Sequence, residues 1–367
     1  MFHPKEWLSE ADLKIIRTNA SRSEKEGRLS AEDLALIYRR KWLQVMEPEN
    51  CGGLEWTLPQ TVRLFEALAW ADANVGWCVN LGAGANMFSG YLPEKTAQAI
   101  FNSAKTWCAG SGAISGTARK DKQGFLVSGQ WKYASGAAHA TYFTANCFLL
   151  EEDNRPVTDH DQPVFRSFIF PADVVQLKNT WKVIGLKATS SDDFEVHDLW
   201  VPEAHTFSLL KPSDFATGPL YQFPFDLLAI VNMACMPVGI ALHFIDLFLE
   251  LAAAKKPLHA GTLLKDNESM QSIFETTTQE FYAARIAMYQ ALDEAWAAYE
   301  QGAPAGTALI VSLSRFARLA ATKARNVVHA LFPLCGMNIL YQDAPLNKVW
   351  RDMATAGQHY LLSPLAS

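Results

Sequence analysis

The sequence predicts an α+β protein in which an all-β segment lies between two helical segments. Apolar residues recur at spacings of three and four up to about residue 105, and again from residue 226 onward, which is the periodicity of amphipathic helices. Between them, runs such as Tyr142–Leu150 are rich in strand-forming residues. We therefore divide the chain into an all-α domain at 1–105, a β-barrel or β-sandwich domain at 106–206, and a four-helix bundle at 207–367.

The N-terminal helices are predicted from caps and spacing. Ser9 and Ser30 each precede an acidic first turn and an apolar stripe, which is the pattern of a capped helix start. A third helix is predicted at 61–73. The following segment, 76–90, is rich in Gly, Ala and Trp, and its small residues would allow helices or a flat ligand to approach closely.

In the middle segment, 124–131 is predicted to form a strand, a turn and a second strand, and 181–201 a series of short strands. Charged residues and two prolines at 151–163 indicate a surface loop. In the C-terminal segment, we predict long helices over 270–299 and 307–332, and a last helix over 346–361.

Composition excludes several classes of function. The net charge is -6 and no basic stripe is visible, so nucleic acid is not expected as a partner. The apolar run 227–254 contains Asp246 and Glu250, which favours a buried bundle helix over a membrane span. The six cysteines form no Cys-x-x-Cys pair or metal-ligand cluster, and the N-terminus lacks an apolar signal core. We therefore expect a cytoplasmic protein with free thiols and no metal site.

Several motifs occur in an order that resembles the acyl-CoA dehydrogenase superfamily. They are Gly129-Gln130-Trp131-Lys132-Tyr133-Ala134-Ser135-Gly136, Trp181 to Asp192 with its glycine and run of small residues, Leu199-Trp200-Val201-Pro202, Cys335-Gly336, and Pro345 to Asp352 with its Arg-Asp pair. Together they cover nearly the whole chain. The resemblance implies the helix–β–bundle fold, a bound FAD or FMN, and a homotetramer or homodimer assembled through the bundle.

Within the superfamily, the pattern is closest to flavin-dependent monooxygenases of aromatic substrates, which use reduced flavin from a separate reductase. Their aromatic-x-Ser-Gly motif matches Tyr133 to Gly136, and their histidine after Arg-Asp matches His359. The resemblance implies that Ser135 lies near flavin N5 and that His359 is the acid/base, since an imidazole titrating near neutral pH can supply a proton as an O–O bond breaks. The predicted cofactor-binding residues are Trp107, Cys108, Ala109, Gly110, Ser111, Tyr133, Ala134 and Ser135.

Two departures from the pattern leave other hypotheses open. No histidine lies in Gly82–Met87, where some members carry a second one, and Asn86 cannot shuttle a proton. Lys255 and Lys256 stand where the family often has an arginine for the cofactor phosphate, and lysine is a poorer bidentate ligand. A non-catalytic scaffold that has lost its flavin is therefore one alternative.

The other alternative is an acyl-CoA dehydrogenase. Its glutamate base often follows the Arg-Asp motif, but the tail 353–367 contains no carboxylate. Asp226 is then the candidate base. For the main hypothesis, non-functional interpretations also exist: His359 as a surface histidine on the last helix, and Ser135-Gly136 as a simple turn. The favoured prediction is a monooxygenase of an apolar or aromatic small molecule.

Overall fold

The computed structural model describes residues 2–258, 261–363 and 365. Its helices are α1 Glu10–Glu26, α2 Ala31–Arg39, α3 Leu58–Ala71, α4 Ala73–Asn86, α5 Glu94–Ile100, α6 Pro219–Gln222, α7 Phe225–Ala254, α8 Glu268–Glu300, α9 Thr307–Leu331 and α10 Pro345–Ala356. Its strands are β1 Cys108–Asp121, β2 Gly124–Ala134, β3 Tyr142–Leu150, β4 Thr158–Asp159, β5 Gln162–Pro163, β6 Phe165–Pro171, β7 Gln176–Leu177, β8 Asp192–Pro202 and β9 Thr206–Phe207.

Local signals set the helix starts as predicted. The hydroxyls of Ser9 and Ser30 accept hydrogen bonds from the backbone N–H groups of Asp12 and Asp33, which satisfies donors that a helix start leaves free. Helix α3 begins three residues earlier than predicted, because Thr57 caps it and Pro59 occupies its first turn. The Gly- and Ala-rich segment that follows is itself a helix, α4.

The strands between Cys108 and Phe207 form one seven-stranded sheet of order β7-β8-β2-β1-β3-β6-β9, with β4 and β5 as a separate hairpin. Neighbouring strands are antiparallel except β1 and β3. This sheet has a hydrophobic core of its own, around Trp131, Phe143, Phe168 and Phe194.

Two predicted features of this sheet are wrong in detail. Residues 124–131 form no turn, because Gly129 lies inside β2, and a Cβ there would lie 2.6 Å from the Cα of Gly116 on β1. The glycine therefore allows close strand contact rather than a reversal. The short strands predicted over 181–201 are one strand, β8, preceded by an irregular turn.

The C-terminal helices pack into a bundle around α7, which contacts α3, α9 and α10. Helix α7 is long and apolar enough to cross a membrane, but 89% of its most apolar window is buried within the protein. One hydrophobic core joins the N-terminal helices to this bundle. Helices, a central sheet and a helical bundle therefore confirm the predicted fold class.

Candidate active site

The predicted cofactor-binding residues gather at one end of the sheet. They lie at the start of β1 and the end of β2. These strands are antiparallel, so the two segments lie side by side at the same end of the sheet. The pairing of β1 with β2 extends from the pair of Gly116 and Gly129 to the turn that joins the two strands. On the other side of that point, β1 has a bulge between Gly110 and Ile114. The sheet is thus irregular where the cofactor was predicted.

Strand β2 ends in a bulge that turns one aromatic ring outward. The β2–β8 register shifts between Trp131 and Ala134, and Tyr133 in that bulge has φ +68°. The residue is 64% exposed, and its ring centroid lies 6.1 Å from that of Trp181. Positive φ is uncommon for an aromatic residue and is often found at functional sites. A groove of about 460 Å³ opens beside Trp181.

Ser135 follows the bulge and lies in a buried row of hydroxyl groups. The indole Nε1 of Trp77 on α4 donates to its Oγ at 3.0 Å, and the Oγ of Ser191 lies 2.8 Å from it. Ser191 in turn contacts the hydroxyl of Thr189 at 2.7 Å, and Thr189 donates to the carbonyl of Leu186 at 2.8 Å. Ser135 is therefore part of a continuous hydrogen-bonded chain rather than a simple turn.

His359 lies outside the last helix, so its predicted place within a helix over 346–361 is wrong. Helix α10 ends at Ala356, and the backbone N–H of Leu361 donates to Nδ1 of His359 at 3.4 Å. The imidazole is partly buried, with its centroid 6.0 Å from that of Trp77. Because Nδ1 accepts a hydrogen bond, the neutral ring carries its proton on Nε2.

Burial lowers the pKa of His359 to about 4, since a charged imidazolium loses hydration there. The expected titration near neutral pH is therefore not found, and the ring is neutral at pH 7. The structure nevertheless brings both predicted catalytic residues to one side chain. Trp77 donates to Ser135 and packs edge-on against His359.

Several predicted cofactor contacts have little or no exposed surface. Trp107, Cys108 and Ala134 are fully buried, and Ala109 is 2% exposed. The Trp107 ring packs against His139, and within the described residues its Nε1 has no hydrogen-bond partner. The structure gives no support to side-chain contacts from these residues, which remain predictions. Gly110 and Ser111 are partly exposed at the β1 bulge.

Asn86 lies outside the candidate site. Its amide donates to the Oε1 of Glu47 at 2.6 Å and to the carbonyl of Thr106 at 2.9 Å, and its Oδ1 accepts from Cys108 N–H. All its strong hydrogen-bonding positions are thus used in the core. Burial raises the pKa of Glu47 to about 8, so this acid is protonated at neutral pH.

The alternative site residues are less well placed. Asp226 is exposed in the first turn of α7; burial and then the charge of Asp226 raise the pKa of Tyr360, next to His359. Lys255 donates to the carbonyl of Cys335 and is thus committed to the Cys335-Gly336 turn, whereas Lys256 is exposed. In the described part of the chain, no group of His, Cys, Asp or Glu could hold a metal ion.

Sequence reasoning missed three residues of this cluster, Trp77, Thr189 and Ser191. Thr189 and Ser191 lie in the run of small residues after Gly185, and that run was used only as part of the resemblance to the superfamily. A run of hydroxyl residues at the entry to a strand is a usable signal for a buried polar cluster. Trp77 gave no such signal, because a tryptophan on an apolar helix is usually part of the core.

Comparisons with known proteins bear on the family and the fold. Residues 231–364 match the family model of the acyl-CoA dehydrogenase C-terminal domain. An indole-3-acetate monooxygenase of Acinetobacter baumannii is 27% identical over 317 residues, which cover 86% of this chain and 79% of that protein. The oxygenase subunit HsaA of a flavin-dependent monooxygenase of Rhodococcus jostii is 22% identical, covering 97% of this chain and 94% of that protein.

The solved structure of XiaF from Streptomyces sp., in complex with FADH2 and glycerol, superposes with a TM-score of 0.88 at 20% identity. The alignment covers 98% of this chain and 91% of XiaF. The shared fold therefore extends over nearly the whole of both chains. The chain therefore has the fold of the acyl-CoA dehydrogenase-type monooxygenases, and it is similar to flavin-dependent monooxygenases over nearly its whole length.

Proposed function

We propose that this protein is the oxygenase component of a two-component monooxygenase that hydroxylates an apolar or aromatic small molecule. The observation that carries the proposal is the convergence of Ser135 and His359 on Trp77. The Rhodococcus jostii relative is named as an oxygenase subunit, which supports this proposal, and we propose a separate flavin reductase as the other component. We also propose a cytoplasmic homotetramer or homodimer.

The residues present fit a flavin, either FAD or FMN. The flat flavin ring needs a surface that offers backbone or hydroxyl groups with hydrogen-bonding capacity not already taken up by the protein. The bulges in β1 and β2 interrupt the strand ladder at one end of the sheet, and Ser135 retains an unused lone pair there. The exposed ring of Tyr133 beside Trp181 adds an aromatic surface. Aromatic side chains of this kind commonly line cofactor sites.

When bound, reduced flavin supplies two electrons to dioxygen; one oxygen atom enters the substrate and the other leaves as water, while the flavin is oxidised. Ser135 would hold the flavin edge through its hydroxyl. His359 holds a proton on Nε2, with its ring orientation fixed by the Leu361 N–H. Trp77 is itself buried and contacts both groups, so it would limit the access of water to them.

The low pKa of His359 applies to the protein when no charged ligand is bound beside the imidazole. A negative charge beside the imidazole would raise that pKa, because it stabilises the protonated ring. We therefore propose that His359 is neutral before the cofactor and substrate bind, and that it becomes protonated, and so able to donate a proton, only in the loaded site.

The test is a titration of the purified protein with FMN and FAD, oxidised and reduced, followed by mixing with oxygen in the presence of phenol or indole. We expect tighter binding of a reduced flavin and a product heavier by one oxygen atom. Anaerobic bleaching of bound flavin by an acyl-CoA thioester would instead support the dehydrogenase hypothesis with Asp226 as base. Binding of neither flavin would leave only the scaffold hypothesis.

A further inference from the structure

The hydroxyl chain that ends at Ser135 has a direction, which follows from counting its hydrogens. At one end, the indole of Trp77 can only donate; at the other, the carbonyl of Leu186 can only accept. Three hydroxyls lie between them, those of Ser135, Ser191 and Thr189, and each has one hydrogen. Besides the indole bond, the chain contains three contacts, from 2.7 to 2.8 Å.

Only one arrangement satisfies all of these contacts. The Thr189 hydrogen goes to the Leu186 carbonyl, the Ser191 hydrogen to Thr189, and the Ser135 hydrogen to Ser191. Thr189 is fully buried and Ser191 is 1% exposed, so solvent is not available to reverse the order. A buried polar group left without its partner would be costly.

The Leu186 end of the chain is held firmly. The Leu186 N–H donates to Asp352 at 2.6 Å, and the neighbouring Ala188 N–H donates to Asn74 at 2.9 Å. The Leu186 carbonyl also accepts the indole N–H of Trp181 at 2.8 Å. The acceptor that gives the chain its direction therefore cannot easily turn away.

We infer that Thr189 and Ser191 make the Ser135 hydroxyl a hydrogen-bond acceptor, so that the site selects reduced flavin over oxidised flavin. The inference rests on the proposed function, which puts flavin N5 against Ser135. Ser135 has already given its hydrogen to Ser191 and accepted one from Trp77, and keeps one lone pair. Reduced flavin presents N5–H to that lone pair. Oxidised flavin has a bare N5, which Ser135 can meet only if the chain reverses and the Leu186 contact is lost.

The experiment compares dissociation constants for oxidised and anaerobically reduced FMN and FAD in the wild type, Thr189→Val, Ser191→Ala and Thr189→Ser. Thr189→Val keeps the side-chain shape but removes the last hydroxyl, which leaves Ser191 free to donate to Ser135. We expect oxidised flavin to bind about five- to tenfold more tightly to Thr189→Val and Ser191→Ala, from the loss or gain of one hydrogen bond. The affinity for reduced flavin should change less than about twofold. Thr189→Ser, which keeps the hydroxyl, should retain the wild-type ratio.

A second measurement reads the same effect without catalysis. The ratio of the two dissociation constants sets the reduction potential of bound flavin, and a tenfold change corresponds to about 30 mV for two electrons. The potential should fall in Thr189→Val and stay unchanged in Thr189→Ser. Ser135→Ala should also reduce the ratio of the dissociation constant of oxidised flavin to that of reduced flavin. It should do so by weakening the binding of reduced flavin, because the hydrogen-bond acceptor for N5–H is gone.

Failure of this inference differs from failure of the proposed function. The inference alone is overturned if the wild type makes oxygenated product while Thr189→Val and Ser191→Ala are folded and have the same ratio of flavin dissociation constants as the wild type. A wild type that binds neither flavin overturns both. A shifted ratio in a protein that yields no oxygenated product supports the direction of the chain and rejects the monooxygenase. Circular dichroism of each variant establishes that it is folded.

Discussion

Two buried polar clusters contact the same residue, Leu186, and they differ in charge. Its N–H donates to Asp352, which belongs to a charged cluster with Lys348 and Asp72; Lys348 lies 2.6 Å from Asp72 and 2.8 Å from Asp352. Its carbonyl accepts from Thr189, which belongs to the uncharged cluster at Ser135. One cluster joins helices α4 and α10 to the turn before β8, and the other lines the candidate site.

The difference indicates a division of roles. In the charged cluster, two carboxylates share one ammonium. Burial opposes ionisation of Asp72, but Lys348 outweighs it and holds the pKa of Asp72 below its usual value. Burial, together with the charge of Asp72, raises the pKa of Asp352. Such a cluster is costly to break. The uncharged cluster has only neutral groups at pH 7, and changes there should alter binding and chemistry more than folding.

Breaking the charged cluster should have the largest effect. Lys348→Met leaves two buried carboxylates without a cation, and we expect a loss of about 3–5 kcal/mol in the free energy of unfolding. The loss should diminish at low pH, where the carboxylates become protonated. Urea unfolding at several pH values measures it. Lys348→Met combined with Asp352→Asn is the matched control and should recover part of the loss; a single variant as stable as the wild type would contradict the assigned role.

Removing the imidazole at the uncharged cluster should affect chemistry almost alone. We expect His359→Ala to lower the yield of oxygenated product by about 100- to 1,000-fold, which is the usual contribution of a positioned acid or base. Flavin affinity and melting temperature should change little. Product analysis beside a flavin titration measures both. His329→Ala, an exposed histidine on α9, is the control, and equal turnover in both variants would exclude the role of His359.

A third buried group tests whether charge itself sets stability. Glu47 is protonated in the folded protein up to about pH 8 but has a pKa of 4.5 when free, so its contribution to stability is fully present below about pH 4.5 and is lost as the pH rises through 8. Glu47→Gln cannot ionise. The free energy of unfolding of Glu47→Gln relative to that of the wild type should therefore increase from about pH 5 to about pH 8, by roughly 3–4 kcal/mol. Urea unfolding across that range measures it, and a constant difference would contradict the raised pKa.

The smallest effect is expected at the surface. Arg155 and Asp153 form an exposed ion pair at 2.6 Å, and exposed pairs contribute little because water screens them. Arg155→Ala should leave the urea midpoint unchanged within error and should not respond to salt. A clear loss of stability would mean that charge pairs matter in this protein irrespective of burial, and would remove the contrast with Lys348.

Much of the fold could be predicted because its signals are local. Serine caps, the spacing of apolar residues in α8 and the strand-forming run of β3 each act within a few residues. The predicted turn within 124–131 failed because a contact with another strand decided it. Gly129 lies inside β2, where a Cβ would come within 2.6 Å of the Cα of Gly116 on β1, and that contact is not visible from the local sequence.

The sequence by itself determined the order of helices, sheet and bundle, and it singled out Ser135 and His359 through their motif. Only the tertiary structure decided that both meet at Trp77, that Asn86 is used in the core, and that the hydroxyls of Ser191 and Thr189 continue from Ser135. The physical reason is that periodicity and caps depend on neighbours along the chain, whereas hydrogen-bond direction and pKa depend on which groups folding brings together away from water.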